Sequence, residues 1–229
     1  MSTLRNGVKM KNCDAVIFDM DGVIFDSERL VLECWEQIGT KYHFSGIQEV
    51  FISCIGTNKV KTKEILLNHY GKDFPYEEFS REASLLFHQV TDRDGLPVKK
   101  GVRELLEYLR REQMPVGVAS STRLEAVTQE LKQAGLYEYF HTVVGGDQLK
   151  RSKPEPDIYL MACEKMTVVP ERTYAIEDSH NGIRAAYRAG MRPVMVPDML
   201  PATEEMRGMS VIVLEDLLEV KKWFEGIDK

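Results

Sequence analysis

The sequence predicts a doubly wound α/β domain, a parallel sheet wrapped by helices, with a second, wholly helical segment inserted near its start. Three observations predict it. Short apolar runs rich in β-branched and aromatic residues recur along the chain, of the kind buried on both faces of a parallel sheet. Between them lie stretches with apolar residues three and four apart, which is the alternation of βαβ units. From Glu28 to about Val90 that alternation stops and only helical spacing remains.

The elements follow in order. DAVIFD (14–19) is the first strand. ERLVLECWEQI (28–38), then a turn, TNKVKTKEILLNHY (57–70) and PYEEFSREASLLFHQV (75–90) are helices of the insert. DRDGLPVKKG (92–101), punctuated by Asp, Gly and Pro, is the hinge back. The strands PVGVAS (115–120), TVVG (142–145), TYAI (173–176), PVMV (193–196) and VIV (211–213) then alternate with helices. Those helices are VRELLEYLRRE (102–112), RLEAVTQELKQA (123–134), DIYLMACEKM (157–166) and NGIRAAYRA (181–189). Gly135 and Gly190 stand just past two of them, where a left-handed residue ends a helix. LEDLLEVKKWFEG (214–226) reads as an amphipathic helix covering the sheet. The expected fold is a Rossmann-like core of residues 1–27 and 93–229, with a helical cap domain of residues 28–92.

A chain of 229 residues can build a full core, and 43% hydrophobic with 29% charged residues does not favour disorder. The net charge of -6, without a basic block, argues against a nucleic-acid surface. Cys13, Cys34, Cys54 and Cys163 form no CxxC pair, so neither zinc nor a disulfide framework is expected, and a reducing cytoplasm fits. No apolar stretch approaches membrane-spanning length, and the basic N-terminus lacks the apolar segment of a signal peptide. A monomer is the simpler expectation.

Chemistry concentrates where strands end. In an open α/β sheet, ligands bind beyond the carboxyl ends of the strands. VIFDMDGVIFDS (16–27) puts Asp19 at the end of the first strand, with Asp21 two residues on and Gly22 after it. As loop acids they could simply cap a helix, since Asp and Gly are common in turns. ASSTRLE (119–125) ends the next strand. Thr122-x-x-Glu125 is a capping box, and Ser120 is equally placed to bind an anion beside the free N–H groups of a helix. RSKPEPD (151–157) offers one cation, Lys153, in a proline-rich loop. AIEDSHNG (175–182) again ends a strand in acids, Glu177 and Asp178. Acid pairs at two strand ends repel one another unless something positive lies between them. Oxygen-rich coordination is what Mg²⁺ prefers, so the acids are read as belonging to a metal and a phosphoryl group.

In order and spacing, Asp19-x-Asp21-Gly-Val, Ser120, Lys153 and Glu177-Asp178 resemble the four motifs of the haloacid dehalogenase superfamily. DMDGVIFDS, KPEPDIY and EDSHNGIRAAYRAGM resemble its beta-phosphoglucomutase and sugar-phosphate phosphatase branch, and the likeness spans nearly the whole chain. The resemblance implies Asp19 as a nucleophile that forms an aspartyl-phosphate and Asp21 as general acid and then base. It implies Ser120, Ser121 and Lys153 on the phosphoryl oxygens, and Mg²⁺ held by Asp19, Asp21 through its backbone carbonyl, Asp178 and Glu177, the last ligating or supporting. Asp21 speaks against the dehalogenase branch, which lacks an acid at this place. The implied activity is a Mg²⁺-dependent phosphatase acting on a small phosphorylated metabolite. The alternatives are a phosphosugar mutase, or a non-catalytic protein that binds a phosphometabolite.

Substrate choice is expected in the cap, with Glu28, Val31, Trp35 and the CIGTNK turn (54–59) as lining. In the mutase branch a histidine stands where this chain has Val31, and a lysine where it has Ile55 before Gly56. Those two differences favour the phosphatase. The five histidines, His43, His69, His88, His141 and His180, read as surface or packing residues rather than ligands.

Overall fold

The computed structural model describes residues 13–55 and 59–227. The basic N-terminal stretch and the middle of the CIGTNK turn lie outside them. The chain divides into two compact units, one of Met1–Phe25 with Val98–Lys229 and one of Asp26–Pro97.

The first unit is a six-stranded, wholly parallel sheet. Its strands are β1 (Ala15–Phe18), β2 (Val116–Ser120), β3 (Thr142–Gly145), β4 (Thr173–Glu177), β5 (Arg192–Met195) and β6 (Ile212–Val213). They lie in the order β3-β2-β1-β4-β5-β6. All four residues of β1 are fully buried, which is why their sequence is a continuous apolar run. Alternate residues serve opposite faces. Ile17, Ala119, Val144 and Ala175 pack on one face against Ile158, Tyr159, Ala162 and Cys163 of α7 (Asp157–Met166) and Ala185 and Ala186 of α8 (His180–Arg188). On the other face the Tyr174 ring meets Trp223 and Phe224 of α10 (Leu217–Ile227) edge-on, with centroids 5.4 and 5.3 Å away. The C-terminal helix therefore covers the sheet, as its amphipathic pattern suggests. The remaining helices of this unit are α5 (Val102–Arg111), α6 (Leu124–Gln133) and the short α9 (Glu204–Met209). The last has no counterpart among the expected elements.

The second unit is helical: α1 (Ser27–Lys41), α2 (Ile47–Cys54), α3 (Lys59–Tyr70) and α4 (Tyr76–Asp94). Trp35 sits edge-on to both Phe51 and Phe79, and Phe74 stacks with Tyr70, so aromatic rings from all four helical segments close this core. Two details differ from the expected pattern. Residues 47–54, expected as part of a turn, form α2, because Ile47, Val50, Phe51 and Cys54 share one buried face. The first residues of the expected hinge are the last turn of α4, which Gly95 caps. Val31 and Trp35, with Lys59, Tyr76, Ala83 and Phe87, line an open cavity of about 570 Å³ within this unit. No helix among the described residues is long and apolar enough to cross a membrane.

Candidate active site

Strand order places the site. With β1 central, the chain winds outward through β2 and β3, then returns to β4 on the other side of β1. The crevice between the carboxyl ends of β1 and β4 is the topological switch point of such a sheet. The register pairs Phe18 with Ile176, and the Asp19 N–H donates to the Ile176 carbonyl at 2.9 Å. Asp19 and Glu177 therefore leave the sheet side by side.

After Asp19 the chain turns sharply. The Met20 carbonyl accepts the N–H groups of Val23, Ile24 and Phe25, and the Gly22 N–H donates to Phe25. Gly22 has φ 79°, and a β-carbon there would lie 2.3 Å from Asp178 Oδ2. Only glycine permits both the left-handed backbone and this close approach. The turn thereby brings Asp21 back over the sheet end, where it is partly exposed.

Lys153 ties the acids together. Its ammonium donates to Asp19 Oδ1, to Glu177 Oε1 at 2.6 Å and to the Ala119 carbonyl at 3.2 Å. Only 7% of the Lys153 side chain is exposed and Glu177 is fully buried. Burial alone would discharge the lysine, but the Asp19 and Glu177 carboxylates outweigh it and raise its pKa above the usual value. The Glu177 carboxylate is saturated. Oε1 also accepts from the Tyr159 hydroxyl at 2.8 Å, and Oε2 accepts from the Ser179 N–H and hydroxyl at 3.2 and 3.0 Å. Burial, with Glu177 and Asp19 adding, holds the Tyr159 phenol well above its usual pKa, so it remains a donor.

The same cluster fits a hard divalent cation. Asp19 and Asp178 lie beside Glu177, with one carboxylate oxygen of each of the three within 4.8 Å of the others. One ammonium stands against three buried carboxylates. Burial pushes the Asp19 carboxyl well above its usual range despite Lys153, with Glu177 and Asp21 pushing the same way. A second positive charge would relieve that repulsion, and an all-oxygen donor set suits Mg²⁺ rather than a softer metal.

Ser120 is buried at the end of β2, and its Oγ accepts the Thr122 N–H at 3.0 Å, while Ser121 is exposed on the loop beyond. The Thr122 hydroxyl does not cap α6. It donates to Asp21 Oδ2 at 2.9 Å, and the first helical N–H, that of Leu124, is capped instead by Asp147 Oδ1 at 2.8 Å. The capping-box reading of Thr122 is therefore replaced. Sequence reasoning also passed over Tyr159, whose only signal was its place on the buried face of the helix that follows Lys153. His180 faces the Pro201 carbonyl at 3.0 Å, and His141 accepts the Val116 N–H at 3.2 Å, both packing roles.

A parallel sheet of this order with acids at two strand ends and one buried lysine between them defines a class of hydrolase. Residues 16–196 match the haloacid dehalogenase-like hydrolase family, and the chain belongs to it. It is 32% identical over 184 residues to a phosphorylated carbohydrates phosphatase of Thermotoga maritima, covering 79% of this chain and 83% of that protein. It is 31% identical over 217 residues to the beta-phosphoglucomutase of Bacillus subtilis, covering 90% and 94%. Among solved structures, CbbY of Rhodobacter sphaeroides in complex with phosphate superposes with a TM-score of 0.70 at 26% identity, covering 91% of this chain and 96% of that one.

Proposed function

We propose that this protein is a Mg²⁺-dependent phosphatase that releases phosphate from a small phosphorylated metabolite, a sugar phosphate or a compound like it, with the phosphoryl group carried briefly on Asp19. The observation that carries the reading is the Lys153 bridge: one buried ammonium holds Asp19 and Glu177 at the switch point, with Asp21 two residues beyond Asp19. In the first step an Asp19 oxygen attacks phosphorus, the bond to the leaving oxygen breaks, and Asp21 gives that oxygen a proton. In the second, water attacks the phosphoryl group, passes its proton to Asp21, and the bond to Asp19 breaks. Lys153, the Ser120 hydroxyl and Ser121 hold the phosphoryl oxygens during both transfers.

Asp19, Asp178 and the Asp21 backbone carbonyl would hold Mg²⁺, which when bound neutralises phosphoryl charge. Glu177 supports that set rather than joining it. Its two oxygens already accept four hydrogen bonds, which uses their lone pairs. The carbohydrate phosphatase among the relatives supports the substrate class. The Bacillus mutase, matched over more of the chain, favours a second reading in which a sugar hydroxyl replaces water.

The test is phosphate release from p-nitrophenyl phosphate by the purified protein. Activity is expected with Mg²⁺, is expected to vanish on chelation and return on Mg²⁺ addition, and is expected to be absent in a folded Asp19→Asn variant. Wild-type rates in that variant, or full activity after exhaustive chelation, would sink the mechanism.

A further inference from the structure

The Thr122 hydroxyl has two obvious uses, and the structure makes only one of them. Two residues before α6, it could serve the free N–H groups of the helix, yet it points the other way and donates to Asp21 Oδ2. Its backbone explains the direction. The Thr122 N–H donates to Ser120 Oγ at 3.0 Å, and its carbonyl accepts the Gly146 N–H at 2.8 Å. The following N–H, Leu124, is fixed by Asp147. A β-carbon on Gly146 would lie 2.2 Å from the Ser121 carbonyl oxygen, so the end of β3 presses on this loop as closely as backbone can. The loop is pinned from both flanks, and the side chain left over is aimed at the acid of the proposed reaction.

We propose that Thr122 is a positioning residue for Asp21, holding the carboxyl by Oδ2 so that the proton it delivers to the leaving oxygen is carried on Oδ1. The inference rests on the phosphatase reading, in which Asp21 is that acid. A carboxylic acid donates usefully only from an oxygen aimed at the leaving group, and rotation about its side-chain bonds would otherwise be shared among several orientations. In the step itself the Oδ1–H bond breaks as the leaving oxygen parts from phosphorus and takes that proton. The Thr122 hydroxyl keeps its own proton throughout and strengthens its hydrogen bond as Asp21 becomes a carboxylate.

The role has a signature that a merely structural one lacks. A leaving group that is stable as an anion needs no proton, whereas a basic one does. p-Nitrophenyl phosphate and phenyl phosphate have nearly the same footprint and differ in that respect. kcat/KM reports the step up to phosphoenzyme formation, where the acid acts. Thr122→Val, which keeps the shape of the side chain, is expected to lower kcat/KM for phenyl phosphate about tenfold more than for p-nitrophenyl phosphate. Thr122→Ser, which keeps the hydroxyl, is expected to restore the wild-type ratio. Equal losses on the two esters, no loss on either, or failure of the serine to rescue would overturn the proposal. Asp21→Asn, measured alongside, separates the two levels of inference. If it too loses both esters equally, the general-acid reading falls and takes this one with it. If it is selective while Thr122→Val is not, only the role of Thr122 falls.

Discussion

Glu130, in the second half of α6, has one carboxylate oxygen, Oε2, buried without a hydrogen-bond partner. Burial, with the negative Asp21 adding to it, pushes its pKa from the usual 4.5 up to about 7. Between those two values the folded protein keeps a proton that the unfolded chain has released. The unfolded state then binds fewer protons, so stability falls as pH rises from about 4.5 to about 7 and stays lower above that. The full difference is about 3 kcal/mol by the standard conversion, and solvent reaching a half-buried side chain reduces it to ~1–2 kcal/mol. Glu130→Gln removes the ionisation and nearly keeps the shape. It is therefore expected to raise the melting temperature at pH 8 by about 2–6 °C and to leave it unchanged near pH 4.5. Melting curves at the two pH values check this. An equal shift at both would mean that packing, not charge, is what the glutamine changes.

The start of α6 shows how an element can look locally complete and be built from afar. Thr122-x-x-Glu125 has the form of a capping box, but the cap is Asp147, 23 residues away, on the short turn that follows β3. The same turn closes itself, because Gln148 Oε1 accepts the Gly145 N–H at 3.1 Å. Asp147→Ala is expected to cost about 1 kcal/mol, or ~2–4 °C in melting temperature, as the loss of a helix cap usually does. Glu125→Ala is expected to cost far less, and a larger loss there would restore the local box. This contrast also explains what was legible in the sequence. All six strands were, because each carries a short run of apolar, often β-branched residues, buried throughout in β1 and β2 and only partly in the edge strand β6. Most helices were legible to within a few residues, but the short α9 and α2 were not, and α2 shows why. At eight residues, with Ile47, Val50 and Ile52 β-branched, it owes its form to burial against its neighbours rather than to propensity. At the site, Asp19 and Glu177 could be picked out because charge at the end of an apolar strand is conspicuous, and Lys153 because it is a cation just before Pro154 in the proline-rich loop RSKPEPD. Thr122 and Tyr159 could not be, since their meaning lies in hydrogen bonds to residues 101 and 18 positions distant.

At the scale of the whole molecule, the choice left open by the proposed mechanism is which nucleophile reaches the phosphoryl group that Asp19 would carry. A phosphatase and a mutase share everything up to that point. A mutase must exclude water and hold a sugar hydroxyl in line, so it must spend polar contacts on the sugar. In the mutase branch that this chain resembles, a histidine and a lysine supply two such contacts, at the places occupied here by Val31 and Ile55. Within the helical unit Val31 lines a cavity with Trp35, Ala83 and Phe87, and its own aliphatic side chain can offer no hydrogen bond, although Lys63, Tyr76 and Ser80 also line that cavity. Charged hydrogen bonds are each worth roughly 1.5–3 kcal/mol, so losing two removes several kcal/mol of sugar-specific binding and leaves water to compete. The expectation is therefore hydrolysis. With beta-glucose 1-phosphate and a catalytic amount of glucose 1,6-bisphosphate, inorganic phosphate should appear at least as fast as glucose 6-phosphate. Installing the two polar groups together, as Val31→His with Ile55→Lys, should move the ratio toward glucose 6-phosphate. Glucose 6-phosphate accumulating much faster than phosphate in the unmodified protein would show that the cap selects a sugar hydroxyl by some other set of contacts, and that this chain is a mutase.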